Sequence, residues 1–154
     1  MSRSFETKIA VFLALIQDDQ VLLGRRQNTG WLDGHYDMPS GHLEPSETLL
    51  SASLRELEEE TGLSAKEEDL EFFHICQNYM TPDKPYMFIM FRVNKWTGEP
   101  KIMEPHLSDD QAFFPLEKLP DKTLPYVAKA LGELDSKSVS FSYFDEEDLR
   151  ELGQ

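Results

Sequence analysis

GHLEPSETLLSASLRELEEETGL, running from Gly41 to Leu63, is the stretch that decides how this chain is read. Ser46 is the expected N-cap of a helix, Glu47 suits the positive end of its dipole, and Gly62 supplies the stop, which predicts a helix over 46–61. Leu50, Leu54 and Leu57 recur at helical spacing and are expected to form its apolar face. Glu56, Glu59 and Glu60 stand at i, i+3 and i+4 and form a neighbouring acidic face, with Glu58 turned to solvent. Crowded carboxylates repel one another by on the order of a few tenths of a kcal/mol per pair, and a solvated helix face is the ordinary explanation of such a run. Here a glycine turn precedes it, where backbone can approach a ligand without obstruction. Carboxylates one helical turn apart are close enough to share hard cations such as Mg²⁺, which take oxygen ligands and bridge them to phosphates.

Working outward, residues 7–16 read as a buried strand, Gln17–Gln20 as a turn and Val21–Arg25 as the returning arm of a hairpin. Tyr36–Pro39 reads as a short strand leading to Gly41. Beyond the helix, strands are expected at Leu70–Gln77, Tyr86–Val93 and, briefly, Gln111–Phe114. A second helix is expected over Pro125–Leu134. Ser140–Phe144 reads as an edge strand, and Asp145–Gln154 as a solvated or loosely helical end. Cys76 sits in an apolar stretch and is expected to be a buried free thiol. Arg25 and Arg26 close the hairpin strand, where either could point at a phosphate. His35, His42, His74 and His106 lack metal-ligand spacing. Tyr79, Tyr86 and Tyr126 are assigned to core or surface packing.

Charge narrows the possible partners. The chain has 154 residues, with 29 acidic against 15 basic, a net charge of −14. That field repels polyanions, so nucleic acid is not an expected partner, and no membrane partner is expected either. A small phosphorylated ligand needs cations to meet it. The longest apolar run near the start, Ile9–Ile16, is too short to span a membrane. The first residues read without a signal-peptide apolar region. One cysteine excludes an intramolecular disulfide, and the expectation is a cytoplasmic protein of one domain over 1–154, with a core at about 5–135 and a tail from 136.

The spacing Gly41, Glu47, Arg55-Glu56-Leu57, Glu59-Glu60, Gly62-Leu63 matches the pattern GX5EX7REUXEEXGU (U aliphatic) at every fixed position, and on it the chain resembles the Nudix (MutT-like) hydrolases. The approach Tyr36–Glu44 and the segment Phe113–Leu116 look similar to that family as well. The resemblance implies an α/β/α sandwich on a mixed β-sheet, with the motif forming a loop–helix–loop. It implies an enzyme that hydrolyses a phosphoanhydride in a nucleoside triphosphate or a nucleoside diphosphate linked to another moiety, by attack of a metal-activated water. Mg²⁺ is the implied cofactor, with Mn²⁺ able to replace it. Glu56, Glu59, Glu60 and the Gly41 carbonyl are the implied metal ligands, and Arg55 and Glu47 the groups that orient them. The base is expected to be a helix carboxylate, Glu56 first, or Glu104 from a downstream loop. Arg25 and Arg26 are expected to bind substrate, and Asp37 to read a base edge. The partner is then a small nucleotide derivative, and a homodimer is compatible with the family. The alternative is a non-catalytic nucleotide-sensing or protein-binding module, which would be expected to lose motif glutamates that this chain keeps.

Overall fold

The computed structural model describes residues 5–79 and 85–153; the leading Met1–Ser4 of the signal-peptide reading and Gln154 of the tail lie outside them. β1 (Lys8–Gln17) is the axis of the fold. Its residues alternate between two cores. Ala10, Phe12 and Ala14 enter one that includes Tyr126, Val127 and Leu131, while Val11, Leu13 and Leu15 enter another with Ala52, Leu57 and Leu63. A strand buried on both faces reads as a continuous apolar run, as this one does.

The remaining strands are β2 (Gln20–Arg26), β3 (Tyr36–Asp37), β4 (Ser40–His42), β5 (Leu70–Asn78), β6 (Tyr86–Val93), β7 (Ser108–Pro115) and β8 (Ser140–Phe144). Their order is β3-β2-β1-β6-β5-β8, with β4 on β1 and β7 on β2. The sheet is mixed: β1 runs parallel to β6, and β5 to β8, while the other pairs are antiparallel. Helix α1 (Leu49–Thr61) covers one face, and α2 (Pro125–Leu131) the other. This is the expected α/β/α sandwich. No helix among the described residues is long and apolar enough to cross a membrane.

One detail of pairing opens a cleft. β2 pairs with β1 only at Ile16–Val21 and Gln17–Gln20, beside the turn. Further along, β4 takes the same edge of β1 through Ala10–Phe12. β2 therefore diverges and pairs instead with β3 and, along its whole length, with β7. That ladder also explains why β7 is longer than expected: Ser108–Asp110 has loop composition but is held opposite Arg25 and Arg26.

α1 differs from expectation at its start and on its faces. Thr48, not Ser46, is the N-cap: its side chain accepts from the Ser51 N–H at 3.0 Å, and Ser51 Oγ accepts from the Thr48 N–H at 2.9 Å. This reciprocal capping box sets the first turn. Ser46 instead takes a left-handed conformation, φ 68°. Gly62 closes the helix as expected at φ 73°, its N–H donating to the Glu58 carbonyl. The buried residues are Ala52, Ser53, Glu56, Leu57 and Thr61. Leu57 is fully buried and Leu50 packs against the second core, but Leu54 is half-buried and outside both cores. The inward stripe is turned toward β1 and β4, and so carries Glu56 in with it.

The end of the chain is more ordered than its composition suggests. α3 (Glu146–Glu151) is capped by Asp145 and held by a 2.9 Å ion pair between Lys129 and the buried Asp148. Leu149 and Leu152 pack against the first core. The buried His74 ring bonds the hydroxyls of Ser140 and Ser142, at 2.5 and 2.8 Å, which ties β8 to β5. Cys76 is buried as expected, and burial pushes its thiol up to about 11.

Leu57→Ala is expected to cost about 2–5 kcal/mol in denaturant unfolding, through the cavity it leaves. Leu54→Ala should cost less than ~1 kcal/mol; equal losses for the two would reverse the assignment of helix faces.

Candidate active site

Arg55 organises the start of the site. Its Nε and Nη2 donate to the two oxygens of Glu47 at 2.6 and 3.0 Å, a fork-to-fork pair. Nη2 also donates to the His42 carbonyl at 2.9 Å, and Nη1 to Glu56 at 2.6 Å and Glu59 at 3.1 Å. One guanidinium thus joins the loop before the helix to two helix carboxylates. The Glu47 carboxyl is pulled down to about 2 by the Arg55 hydrogen bonds, and Arg55 is itself held further into its charged state.

Glu56 is 8% exposed and lies against the backbone of Gly41. A Cβ at position 41 would occupy the space of the Glu56 carboxylate itself. Glycine is required here for close approach. Glu60, one turn further on, accepts the Ser40 N–H at 3.0 Å. Burial, ahead of every other cause, pushes both carboxyls up. For Glu56 the Arg55 contact opposes this, and for Glu60 the Ser40 N–H does. Repulsion from Glu104 adds to the rise in both, which puts Glu104 in the same electrostatic cluster.

Glu104 reaches the cluster from a loop fixed at both ends. On one side the Lys101 and Met103 N–H groups donate to the Thr61 and Glu60 carbonyls at the end of α1. On the other, Gln27 Nε2 donates to the Pro105 carbonyl and Asn28 Nδ2 to the His106 carbonyl. The Glu104 carboxylate takes no hydrogen bond or ion pair among the described residues. Glu59 is exposed and held by Arg55.

The cleft left by the divergence of β2 has a cavity volume of about 130 Å³; Arg26, Asp37, Ser40, Glu60, Glu104 and Gln111 are among its lining residues. Its two arginines differ. Arg25 lines the cleft but pairs with the exposed Asp109 at 2.8 Å. Arg26 donates through Nη1 to Asp37 at 3.0 Å. Asp37, expected to read a base edge, is 5% exposed and already engaged: Oδ1 accepts the Met38 N–H, and Oδ2 accepts Arg26 and the Tyr126 hydroxyl. Its acceptors face the protein, because burying a carboxylate requires such partners. Tyr126 is a core residue, as expected from its type, but the role of its hydroxyl was not legible at a distance of 89 residues.

The sequence thus brings Gly41, Glu56, Glu60 and Glu104 together, with Glu59 at the rim. Among the described residues no group of three or more His, Cys, Asp or Glu side chains is already arranged to hold a metal ion; Glu56 and Glu59 share Arg55 instead. The donor chemistry nonetheless fits a hard divalent cation: oxygen ligands only, three carboxylates in mutual repulsion, and a backbone stripped of its side chain beside one of them.

The NUDIX domain family model matches residues 6–134. Phosphatase NudJ of Escherichia coli (strain K12) is 39% identical over 75 residues, 48% of this chain and 46% of that protein. The chain thus spans about half the length of the curated relatives it matches. A MutT NUDIX hydrolase from Burkholderia pseudomallei superposes with a TM-score of 0.78 at 21% identity, over 84% of this chain and 99% of that one. A MutT protein from Bacillus halodurans gives 0.72 at 20%, over 91% and 92%. At such identities the two structures speak to the fold alone. With the domain match covering most of the chain and the motif intact within it, this chain belongs to the Nudix hydrolase family.

Proposed function

We propose that the chain hydrolyses a phosphoanhydride bond in a nucleoside triphosphate or a nucleoside diphosphate derivative, with Mg²⁺ as cofactor and Mn²⁺ able to substitute. The observation that carries this is the packing of the Glu56 carboxylate onto the bare backbone of Gly41, beside Glu60 and within the field of Glu104. Glu56, Glu59, Glu60 and the Gly41 carbonyl are the groups that would hold the cation. When bound, such an ion supplies charge neutralisation and Lewis acidity toward the phosphoryl oxygens. It also answers the −14 net charge, which otherwise repels the substrate.

The chain's own residues do the rest. Arg55 keeps Glu56 and Glu59 oriented, and Glu47 keeps Arg55 in place. Arg26 on the facing wall receives the anionic substrate. Glu104 is the better base of the two expected candidates, because its carboxylate is uncommitted among the described residues whereas Glu56 already accepts from Arg55. It takes the proton of the attacking water on a carboxylate oxygen and later releases it to solvent. A small nucleotide derivative is the partner this cleft suits.

Incubation with nucleoside triphosphates, nucleoside diphosphate sugars and dinucleoside polyphosphates in Mg²⁺ should release phosphorylated products from at least one class, and activity should vanish with EDTA and return with Mg²⁺. A folded protein inert toward every class would remove the catalytic reading and leave a nucleotide-sensing module. Glu60→Gln should lower turnover by about 10³-fold while leaving the melting temperature unchanged or raised, since it relieves repulsion. Glu104→Gln should lower kcat by about 10²–10⁴-fold; an unchanged kcat would return the base to the helix.

A further inference from the structure

The guanidinium of Arg26 is held on three sides. Nη1 donates to Asp37 Oδ2 at 3.0 Å, Nη2 to Thr29 Oγ1 at 3.1 Å, and Nε to the Trp31 carbonyl at 3.0 Å. The Trp31 ring stands 5.6 Å from the guanidinium carbon. One N–H on each terminal nitrogen is left for a ligand among the described residues. Asp37 is in turn held by the Tyr126 hydroxyl, 2.9 Å away, and Tyr126 is 1% exposed in the core under α2. Its ring packs edge-on against Phe12, Phe88 and Phe144, which leaves it no freedom to turn.

We infer that Tyr126 and Asp37 are positioning residues that aim Arg26 across the cleft at a phosphoryl oxygen of the substrate, with Thr29 as a further hold. A free arginine side chain loses substantial rotamer entropy when it binds an anion, and in an acidic cleft a loose guanidinium would fold back onto Glu60 or Glu104. Anchoring it through a buried carboxylate, itself fixed by a buried phenol, removes both losses. The two remaining N–H groups are left to donate to phosphoryl oxygens. Arg25, one residue away, spends its fork on Asp109 at the surface. The inference rests on the hydrolase reading only for the identity of the ligand.

The test is calorimetric titration of the Mg²⁺-loaded full chain with ADP, alongside steady-state kinetics on whichever substrate the nucleotide panel yields. Tyr126→Phe, which keeps the ring, should weaken ADP binding about fivefold and raise KM in step while kcat changes by less than about twofold. Arg26→Lys should weaken it about tenfold or more, and adding Tyr126→Phe to Arg26→Lys should change nothing further, since the phenol acts only through the guanidinium. Thr29→Val, at an exposed position, should weaken binding in the same direction, and Asp37→Asn, which removes the charge that holds Arg26, takes the place of Tyr126→Phe if that variant does not fold. Unchanged affinity in these variants, effects that multiply independently in the double variant, or a wild-type chain that does not bind ADP would overturn the relay. A wild-type chain that binds ADP with this pattern but turns over no nucleotide would instead sink the hydrolase reading and leave the relay standing.

Discussion

Arg55 is the interaction on which the site depends. Three carboxylates and a backbone carbonyl converge on one guanidinium, and without it the Glu47 loop, the strand end at His42 and the outer face of α1 would repel rather than meet. A planar, permanently charged fork does this where an ammonium could not, because it donates in several directions at fixed angles. Arg55 leaves the repulsion among Glu56, Glu60 and Glu104 only partly offset. Local stability and chemical purpose pull against each other here, as they commonly do at sites that store unfavourable charge.

How far the sequence carried the reading depended on whether the cause was local. Residues 8–17 and 86–93 announced themselves as strands because each is a dense apolar run, and Gly62 announced the end of α1 because only its conformation fits there. The motif spacing made Gly41 and the helix glutamates legible through family resemblance; the reason Gly41 must be glycine emerged only when Glu56 was seen to fill the place of its missing side chain. Ser46 and Thr48 are both good caps by type, and the choice between them lies in the partner Ser51. Leu54 leaves the inward face of α1 because a hydrophobic stripe and the inward-facing Glu56 compete for the same positions. Asp37 and Tyr126 could not have been paired from sequence: nothing local links a strand end to a helix so far along the chain.

The two arginines at the end of β2 make the same point about neighbours. Arg25 and Arg26 both line the cleft, but Arg25 pairs with the exposed Asp109 while Arg26 is tied to the buried Asp37, a difference set by tertiary partners and not by strand position. Composition had already suggested that an anionic ligand would need help to approach. On the proposed reading that help would come from two kinds of positive charge, Arg26 fixed in the wall and a cation held by the carboxylates.

One wall of the cleft is built on β2 and the core residue Met38, but the other is attached to the body of the protein by polar ties. The loop that delivers Glu104 hangs from backbone carbonyls of α1 and from the side chains of Gln27 and Asn28. Neither apolar core runs through it. Such a segment can lengthen, shorten or change its chemistry while the sheet and its two helix layers keep their packing. Ligand preference in this architecture is therefore free to drift across descendants of one ancestral sequence without each change having to be matched by a repair of the interior.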